Sequence, residues 1–268
     1  MAKVSKQTTP HIVLDYIEKH SGKFSILRGC NSDIRQYLKS KGFGSVYIGK
    51  EAVLEFGKDH FEKKSLKKLI KRGSKYGKVI ELPYNEENRN KIEKFKKISA
   101  HGNEPQLKFL YFSSFVPNTR MFVLTTEENS WLAAVQISVN SNEKLHTELL
   151  LRKKDAPVGV MEFLISEIFR KLENEGFKEW SLGEVPFLKN KNSAKPFSKS
   201  AFVTLAGRML KFAYNYEGLY FFKNKFNPRW DDVYVCARPK VKLSTLFLFV
   251  LKINLHKLVF SKIFPSIN

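Results

Sequence analysis

Along this chain the apolar positions change period several times, and each change marks an element. Thr147 to Leu151 reads as an apolar strand, Arg152, Lys153, Lys154 and Asp155 follow it, and Pro157 and Gly159 punctuate a turn. Met161, Leu164, Ile165, Ile168, Phe169 and Leu172 then recur at three and four residues, which predicts a helix with one buried face, and Gly176 stands where a left-handed residue closes it. Trp180 and Leu182 open a second strand, expected to stop at Gly183. Nearer the N-terminus the pattern predicts a helix near Asp33 to Lys41, short strands at Ser45 to Ile48 and Ala52 to Phe56, and a basic helix from Glu62. A strand at Val79 to Leu82 and a helix from Glu86 to Ser99 come next. Beyond HGNEP at 101–105, the segments Leu107 to Phe112, Met121 to Thr125, Trp131 to Val139 and Lys144 to Leu151 have the alternation of an antiparallel meander. The lysine-rich stretch from Lys189 to Ser200 has loop composition, and a helix from Phe202 to Tyr216 is expected after it.

At 268 residues the chain exceeds the usual size of one domain, roughly 100 to 150 residues, so two are expected. Gly, Asn and Pro at 101–105 set the boundary, giving domains over 1–104 and 105–242 and an apolar, basic helical tail over 243–268. Both halves mix strands with helices, which places the chain in the α/β class. Lys252, His256, Lys257 and Lys262 interrupt the tail short of the ~20 apolar residues a membrane span requires. It reads either as a helix packed on the domain or as a segment resting on acidic lipid. The N-terminus has a basic start without an apolar core or cleavage site, so no signal peptide is expected.

A formal net charge of +21 points to polyanionic partners, nucleic acid or acidic lipid. Cys30 and Cys236 are the only cysteines and give neither a disulfide framework nor zinc spacing, and the six histidines show no metal spacing either. On the basic helix Lys63, Lys67, Lys71 and Lys75 stand four residues apart with Lys64, Lys68 and Arg72 in the adjacent row. Their mutual repulsion costs a few tenths of a kcal/mol per pair, which a phosphate backbone or acidic headgroup removes, making this face a candidate contact for nucleic acid or anionic lipid. In the second half Glu148, Arg152, Asp155, Glu162 and Glu184 cluster at strand ends, and a helix N-terminus at Gly159 would offer N–H groups to an anion. Comparable turns hold the pyrophosphate of acetyl-coenzyme A in N-acetyltransferases. Asp155-Ala156-Pro157-Val158-Gly159-Val160 departs from their glycine spacing and brings an acid and a proline, which disfavours coenzyme A.

Several ordered segments carry a family resemblance. Leu149 to Arg152, Asp155-Ala156-Pro157 with Gly159, Met161 to Leu164, Glu175-Gly176-Phe177 and Ser181-Leu182-Gly183 with Pro186 resemble the C-terminal catalytic domain of the phosphatidylglycerol lysyltransferases, also called multiple peptide resistance factors. Glu217 to Tyr220, Phe222 to Phe226 and Pro228-Arg229-Trp230 resemble the closing motif of that family, and Tyr47 to Ala52 is similar to its N-terminal signature. The resemblance implies two tandem acetyltransferase-like domains with mixed sheets and an aminoacyl-tRNA donor. It further implies transfer of the aminoacyl group, lysyl or alanyl, to a hydroxyl of phosphatidylglycerol or a related membrane lipid, without metal or nucleotide cofactor. The chain departs from the family pattern at Glu148 and Glu162, where Asp is more usual, and at Glu184-Val185-Pro186 in place of Met-Ala-Pro. Without the spans that precede this domain in the full-length enzymes, the expectation is a stand-alone catalytic domain on the cytoplasmic face of the membrane, with a separate membrane protein as a candidate partner.

In that reaction the donor is an activated ester, so the protein must position a hydroxyl, assist its deprotonation and stabilise an oxyanion. Arg152, Lys223 and Lys225 are the candidate oxyanion or phosphate ligands, and Asp155, Glu148 or Glu184 the candidate base or grip on the donor's α-ammonium. Tyr220, Phe222 and Trp230 are candidates to stack on the terminal adenosine, with Arg229, Gly159 and Gly183 beside the substrate; core packing is the competing explanation for the aromatics. Other functional readings are an acyl-coenzyme A-dependent N-acetyltransferase, a tRNA-dependent peptidyltransferase with an amine acceptor, and a non-catalytic RNA- or membrane-binding protein.

Overall fold

A computed structural model of the chain describes residues 10–20, 25–102, 104–108, 110–141, 143–189, 203, 205–208, 210–238 and 240–263. In its N-terminal part lie α1 (Pro10–His20), β1 (Ser25–Cys30), α2 (Ser32–Ser40), β2 (Gly44–Glu55), α3 (Lys64–Gly73), β3 (Lys78–Leu82) and α4 (Glu86–Ile98). The middle holds β4 (Thr119–Thr125), β5 (Trp131–Val139), β6 (Lys144–Arg152), α5 (Val160–Asn174) and β7 (Glu179–Pro186). Then come α6 (Tyr216–Asn224), β8 (Arg229–Arg238), α7 (Leu243–Lys252) and α8 (Leu255–Ile263). The eight strands form a mixed sheet in the order β1-β8-β2-β7-β6-β5-β4-β3, so the α/β class read from the pattern holds.

Two compact units divide the chain, and neither is one continuous stretch. The first takes Met1–Ala52, Glu184–Tyr220 and Trp230–Asn268, the second Val53–Gly183 and Phe221–Arg229. HGNEP at 101–105 therefore lies inside the second unit. Turn residues signal a local reversal, whereas the units are set by strands that return from distant sequence.

In the second unit β3, β4, β5 and β6 pair antiparallel in succession, and β7 joins β6 in parallel. That parallel pair requires the crossover helix α5 between its strands. Asn85 caps α4, its side chain accepting the Asn88 N–H at 2.7 Å. Ile92 and Phe95 of α4 then pack with Met121, Val123, Ala134 and Leu151 on one face of the sheet. The other face carries α5, whose Lys171 reaches over the Phe122 ring. Because both faces are covered, Met121 to Leu124 are all buried, which is why this strand reads as a continuous apolar run.

In the first unit β1 pairs antiparallel with β8. Leu14, Leu38, Tyr47, Tyr234 and Cys236 form the core on one side, while Val46, Ile48, Val233, Val235 and Ala237 form it on the other, with Leu246 of α7 packed against them. The alternation along β8 separates the two cores residue by residue.

Several local expectations change. The two short strands expected around Gly49 are one strand of twelve residues. A Cβ on Gly49 would stand 2.3 Å from the Val185 carbonyl oxygen, so this glycine admits a neighbouring backbone instead of ending a strand. Similarly β7 continues past Gly183 to Pro186. The described residues between Leu107 and Phe112 form no strand; the Phe112 N–H donates to a Glu148 side chain at 2.8 Å instead of to a sheet neighbour. Residues 190–202 of the lysine-rich segment, and 204 and 209 of the helix expected over 202–216, lie outside the described residues; 205–208 are helical, 210–213 form a turn, and α6 begins only at Tyr216.

Candidate functional site

The charged side chains singled out from sequence are divided between the two units. Glu184 belongs to the first unit; Glu148, Arg152, Asp155, Lys223 and Lys225 belong to the second.

In the second unit β7 bends at Gly183, which adopts φ +89°. Its N–H donates to the Ser181 hydroxyl at 3.0 Å, and earlier on the same strand the Trp180 indole N–H donates to Thr147 at 2.9 Å. The helix α6 lays Lys223 against this bend. Lys223 is only 3% exposed, and its Nζ lies 3.4 Å from the place a Cβ on Gly183 would occupy. An ammonium group so far from water is costly unless polar groups surround it, and the low dielectric that makes it costly also strengthens its pull on an incoming anion. Two residues along, Lys225 reaches the buried Glu162 carboxylate at 2.6 Å and lies over the Phe222 ring. Glu162 is thus held by a cation as well as standing in the first turn of α5.

Other candidates have structural partners. Glu148 accepts from the Phe112 N–H at 2.8 Å and the Ser138 hydroxyl at 2.6 Å, which ties a loop to β5 and β6. Asp155 is exposed; backbone hydrogen bonding and then Lys153, 3.3 Å away, hold its carboxyl below the ordinary aspartate range. A carboxylate held in its charged form is a weakened proton acceptor. Arg152 at the end of β6 is exposed and has no ion-pair partner among the described residues. Arg229 bridges Glu55 at 2.7 Å and Glu179 at 2.9 Å, fastening the starts and ends of three strands. Phe222 meets Phe226 edge to face, a packing contact.

Gly159, read from sequence as an open anion site at a helix start, serves a helix crossing. It adopts φ +101°, and a Cβ there would stand 2.3 Å from the Leu69 carbonyl oxygen of α3. Gly73 of α3 makes the reciprocal approach: a Cβ there would stand 2.2 Å from the Gly159 carbonyl oxygen. The first turn of α5 is closed accordingly, with Val160, Met161 and Glu162 all buried. This close crossing adds a steric argument to the spacing argument against coenzyme A.

Along α3 and its flanks all seven cations face solvent. Lys63 donates to the Asn224 carbonyl at 2.7 Å, at the C-terminal end of α6, and Lys67 pairs with Glu62. Lys64, Lys68, Lys71, Arg72 and Lys75 have no carboxylate partner among the described residues.

In the first unit two further ion pairs appear, of whose members sequence reasoning selected only Glu184. Arg28 of β1 donates to Glu184 of β7, and Gly29 leaves room for that carboxylate. Lys50 of β2 pairs with Asp232 of β8 at 2.6 Å, and the Tyr234 hydroxyl donates to the same carboxylate at 3.3 Å. Tyr47 is buried with its hydroxyl unpartnered among the described residues, and burial, then Asp232 and Tyr234, push its phenol well above the ordinary range. Lys50 and Asp232 were visible as charges inside otherwise buried strands; that interruption was the available signal. The Tyr220 and Trp230 rings pack at a tilt of 33° with centroids 5.0 Å apart. Cys30 and Cys236 share one core cluster as free, buried thiols. Among the described residues no cluster of His, Cys, Asp and Glu could hold a metal ion.

Fold and charge together define an α/β protein with a buried lysine set against a strand bend. The same fold occurs in L-PGS from Bacillus licheniformis, with a TM-score of 0.68 and 18% identity over 90% of this chain and 75% of that one. It occurs again in a C-terminal domain from Agrobacterium fabrum, with a TM-score of 0.68 and 20% identity over 90% and 77% of the two chains. FemX shares it more loosely, with a TM-score of 0.55 and 9% identity over 90% and 78%. At these identities the likeness is one of fold alone. The family is shown by sequence: the model for phosphatidylglycerol lysyltransferase, C-terminal, matches residues 8–237, and the chain belongs to that family. A phosphatidylglycerol lysyltransferase of Bacillus subtilis (strain 168) is 27% identical over 106 residues, 39% of this chain but only 12% of that protein.

Proposed function

We propose that this chain transfers an aminoacyl group from aminoacyl-tRNA to a hydroxyl of phosphatidylglycerol or a related anionic lipid at the inner face of the cell membrane. The observation that carries the reading is the family match across residues 8–237. The buried Lys223 supports it, because attack of a lipid hydroxyl on an aminoacyl ester develops negative charge on the carbonyl oxygen. In this reading the hydroxyl passes its proton to the Glu148 carboxylate as its oxygen bonds to the carbonyl carbon, Lys223 stabilises the tetrahedral oxyanion, and the terminal ribose oxygen of the tRNA leaves carrying that proton. Within the second unit Arg152 receives a phosphate and Glu148 orients the attacking hydroxyl. Tyr220 and Trp230, in tilted ring contact, offer an aromatic face to a base of the tRNA, an interaction worth ~1–3 kcal/mol per base. The five cations along α3 that have no carboxylate partner among the described residues lie against a phosphate backbone. The two interleaved units are read as acetyltransferase-like halves.

Purified protein incubated with radiolabelled lysyl- or alanyl-tRNA and phosphatidylglycerol tests this directly. Label should pass into the lipid phase only when the tRNA is charged. If no aminoacyl-tRNA delivers label to lipid, the reading fails.

A further inference from the structure

The family match ends at residue 237, yet two ordered helices follow it. From Lys240 to Asn268 the chain carries five lysines and no acidic residue. On α7 the inward face holds the buried Thr245, with Leu246 packed on the core of the first unit. Its outward face presents Leu243, Phe247, Leu248 and Leu251, between 37% and 63% exposed. Their spacing of four, one and three residues sets them in one stripe. After a bend of 72°, α8 buries Leu255 and Leu258 but exposes Phe260 and Ile263. Exposed Lys242 and Lys252 stand at the two ends of the α7 stripe, and exposed Lys257 lies one turn before Phe260.

A single exposed leucine needs no explanation, but six large apolar side chains on two consecutive helices do. Among the described residues no single helix is long and apolar enough to cross a membrane. We propose that α7 and α8 form a surface that lies in the interface of an anionic bilayer, with the apolar stripe at the acyl boundary and the lysines at the level of the lipid phosphates. Basic amphipathic helices bind by this combination, with the stems of the lysines covering apolar surface while their ammonium groups remain at the phosphates. Charge decides against a second copy of the chain as the occupant, since facing two such surfaces would bring lysines together without one carboxylate to offset them. This docking surface rests on the proposed function, whose acceptor would lie in the same bilayer, and it would raise the local concentration of that acceptor without touching the reacting groups.

Flotation with vesicles of phosphatidylglycerol in phosphatidylcholine tests the surface apart from the chemistry. Wild-type protein should float with these vesicles and not with phosphatidylcholine alone. Phe247→Asp with Leu251→Asp should lower the bound fraction by about tenfold or more. Lys252→Gln with Lys257→Gln should lower it by at least about fivefold at low salt, a difference that shrinks above roughly 0.5 M salt. Transfer to lipid dispersed in detergent should be unchanged in both variants. Loss of transfer by wild type in detergent would indict the proposed function, whereas unchanged vesicle binding by the Asp variant would overturn the docking surface. Should the Asp variant fail to fold, Leu248→Trp supplies a second measurement: brominated phosphatidylglycerol should quench its added emission, and absence of quenching overturns the proposal. Conversion of a wild-type dimer to a monomer by the Asp variant, with vesicle binding intact, would reassign the face to self-association.

Discussion

At Lys223 a cation sits where water barely reaches, beside a glycine whose backbone only a residue without Cβ adopts at little cost. Lys223→Met keeps most of the volume and removes the charge. It should lower aminoacyl transfer by at least about a hundredfold while tRNA affinity changes little, as expected when one oxyanion donor is removed; single-turnover rates and a tRNA titration separate the two effects. Glycines offer a sharper structural test, because Gly159 and Gly176 share a left-handed backbone but differ in surroundings. Gly176→Ala meets nothing within 4 Å, so only the conformational cost of ~1–2 kcal/mol applies. Gly159→Ala adds a backbone clash with Leu69 and should cost ~3 kcal/mol or more, read as a clearly lower urea midpoint. Sequence already marked Gly159, Gly176 and Gly183 as punctuation. It did not distinguish a helix cap, a helix crossing and a strand bend, because that depends on which backbone passes within reach.

Elements with unmixed periodicity were the most legible. The helix of Met161 to Leu172, the meander from Met121 to Arg152 and the basic helix α3 all stand close to their expected bounds. Where expectation and structure part, at Gly49, Gly183 and Leu107 to Phe112, a long-range partner overrides the local signal. For α3, replacing Lys64, Lys68, Lys71, Arg72 and Lys75 by Gln should weaken tRNA binding. The slope of log affinity against log salt should become shallower by roughly 0.7–0.9 for each phosphate that the variant no longer neutralises; an unchanged slope would leave this face merely solvated. Different forces govern the clamp between strand and helix at Arg120, which pairs with Glu81 at 2.7 Å and with Glu175, while Lys171 also reaches Glu81. Burial raises the Glu81 pKa, but hydrogen bonds from Arg120 and Lys171 outweigh it and hold the carboxyl below 4.5. A depressed carboxylate contributes its stability above its ordinary pKa and loses it as pH falls through the folded value. The difference in urea midpoint between wild type and Glu81→Gln should therefore be full at neutral pH and shrink as pH falls below about 4.5.

Across the whole molecule, a net charge of +21 favours polyanionic partners of the kind proposed. Both proposed substrates are polyanions or lie in an anionic surface, and α3 and the α7–α8 pair give that charge two separate outlets. Domain organisation was the least legible feature, since β2 and β7 each begin in one compact unit and end in the other, and no turn signal announces such a return. The ion pairs Arg28–Glu184 and Lys50–Asp232 were hidden for the same reason, their partners being 156 and 182 residues apart. Lipid mass spectrometry of cells carrying wild-type protein or Lys223→Met reads the central claim most directly. With the wild-type chain, phosphatidylglycerol or a related lipid should gain the mass of one aminoacyl residue, and with Lys223→Met that species should vanish. Identical lipid profiles in cells with and without the wild-type chain would contradict lipid aminoacylation.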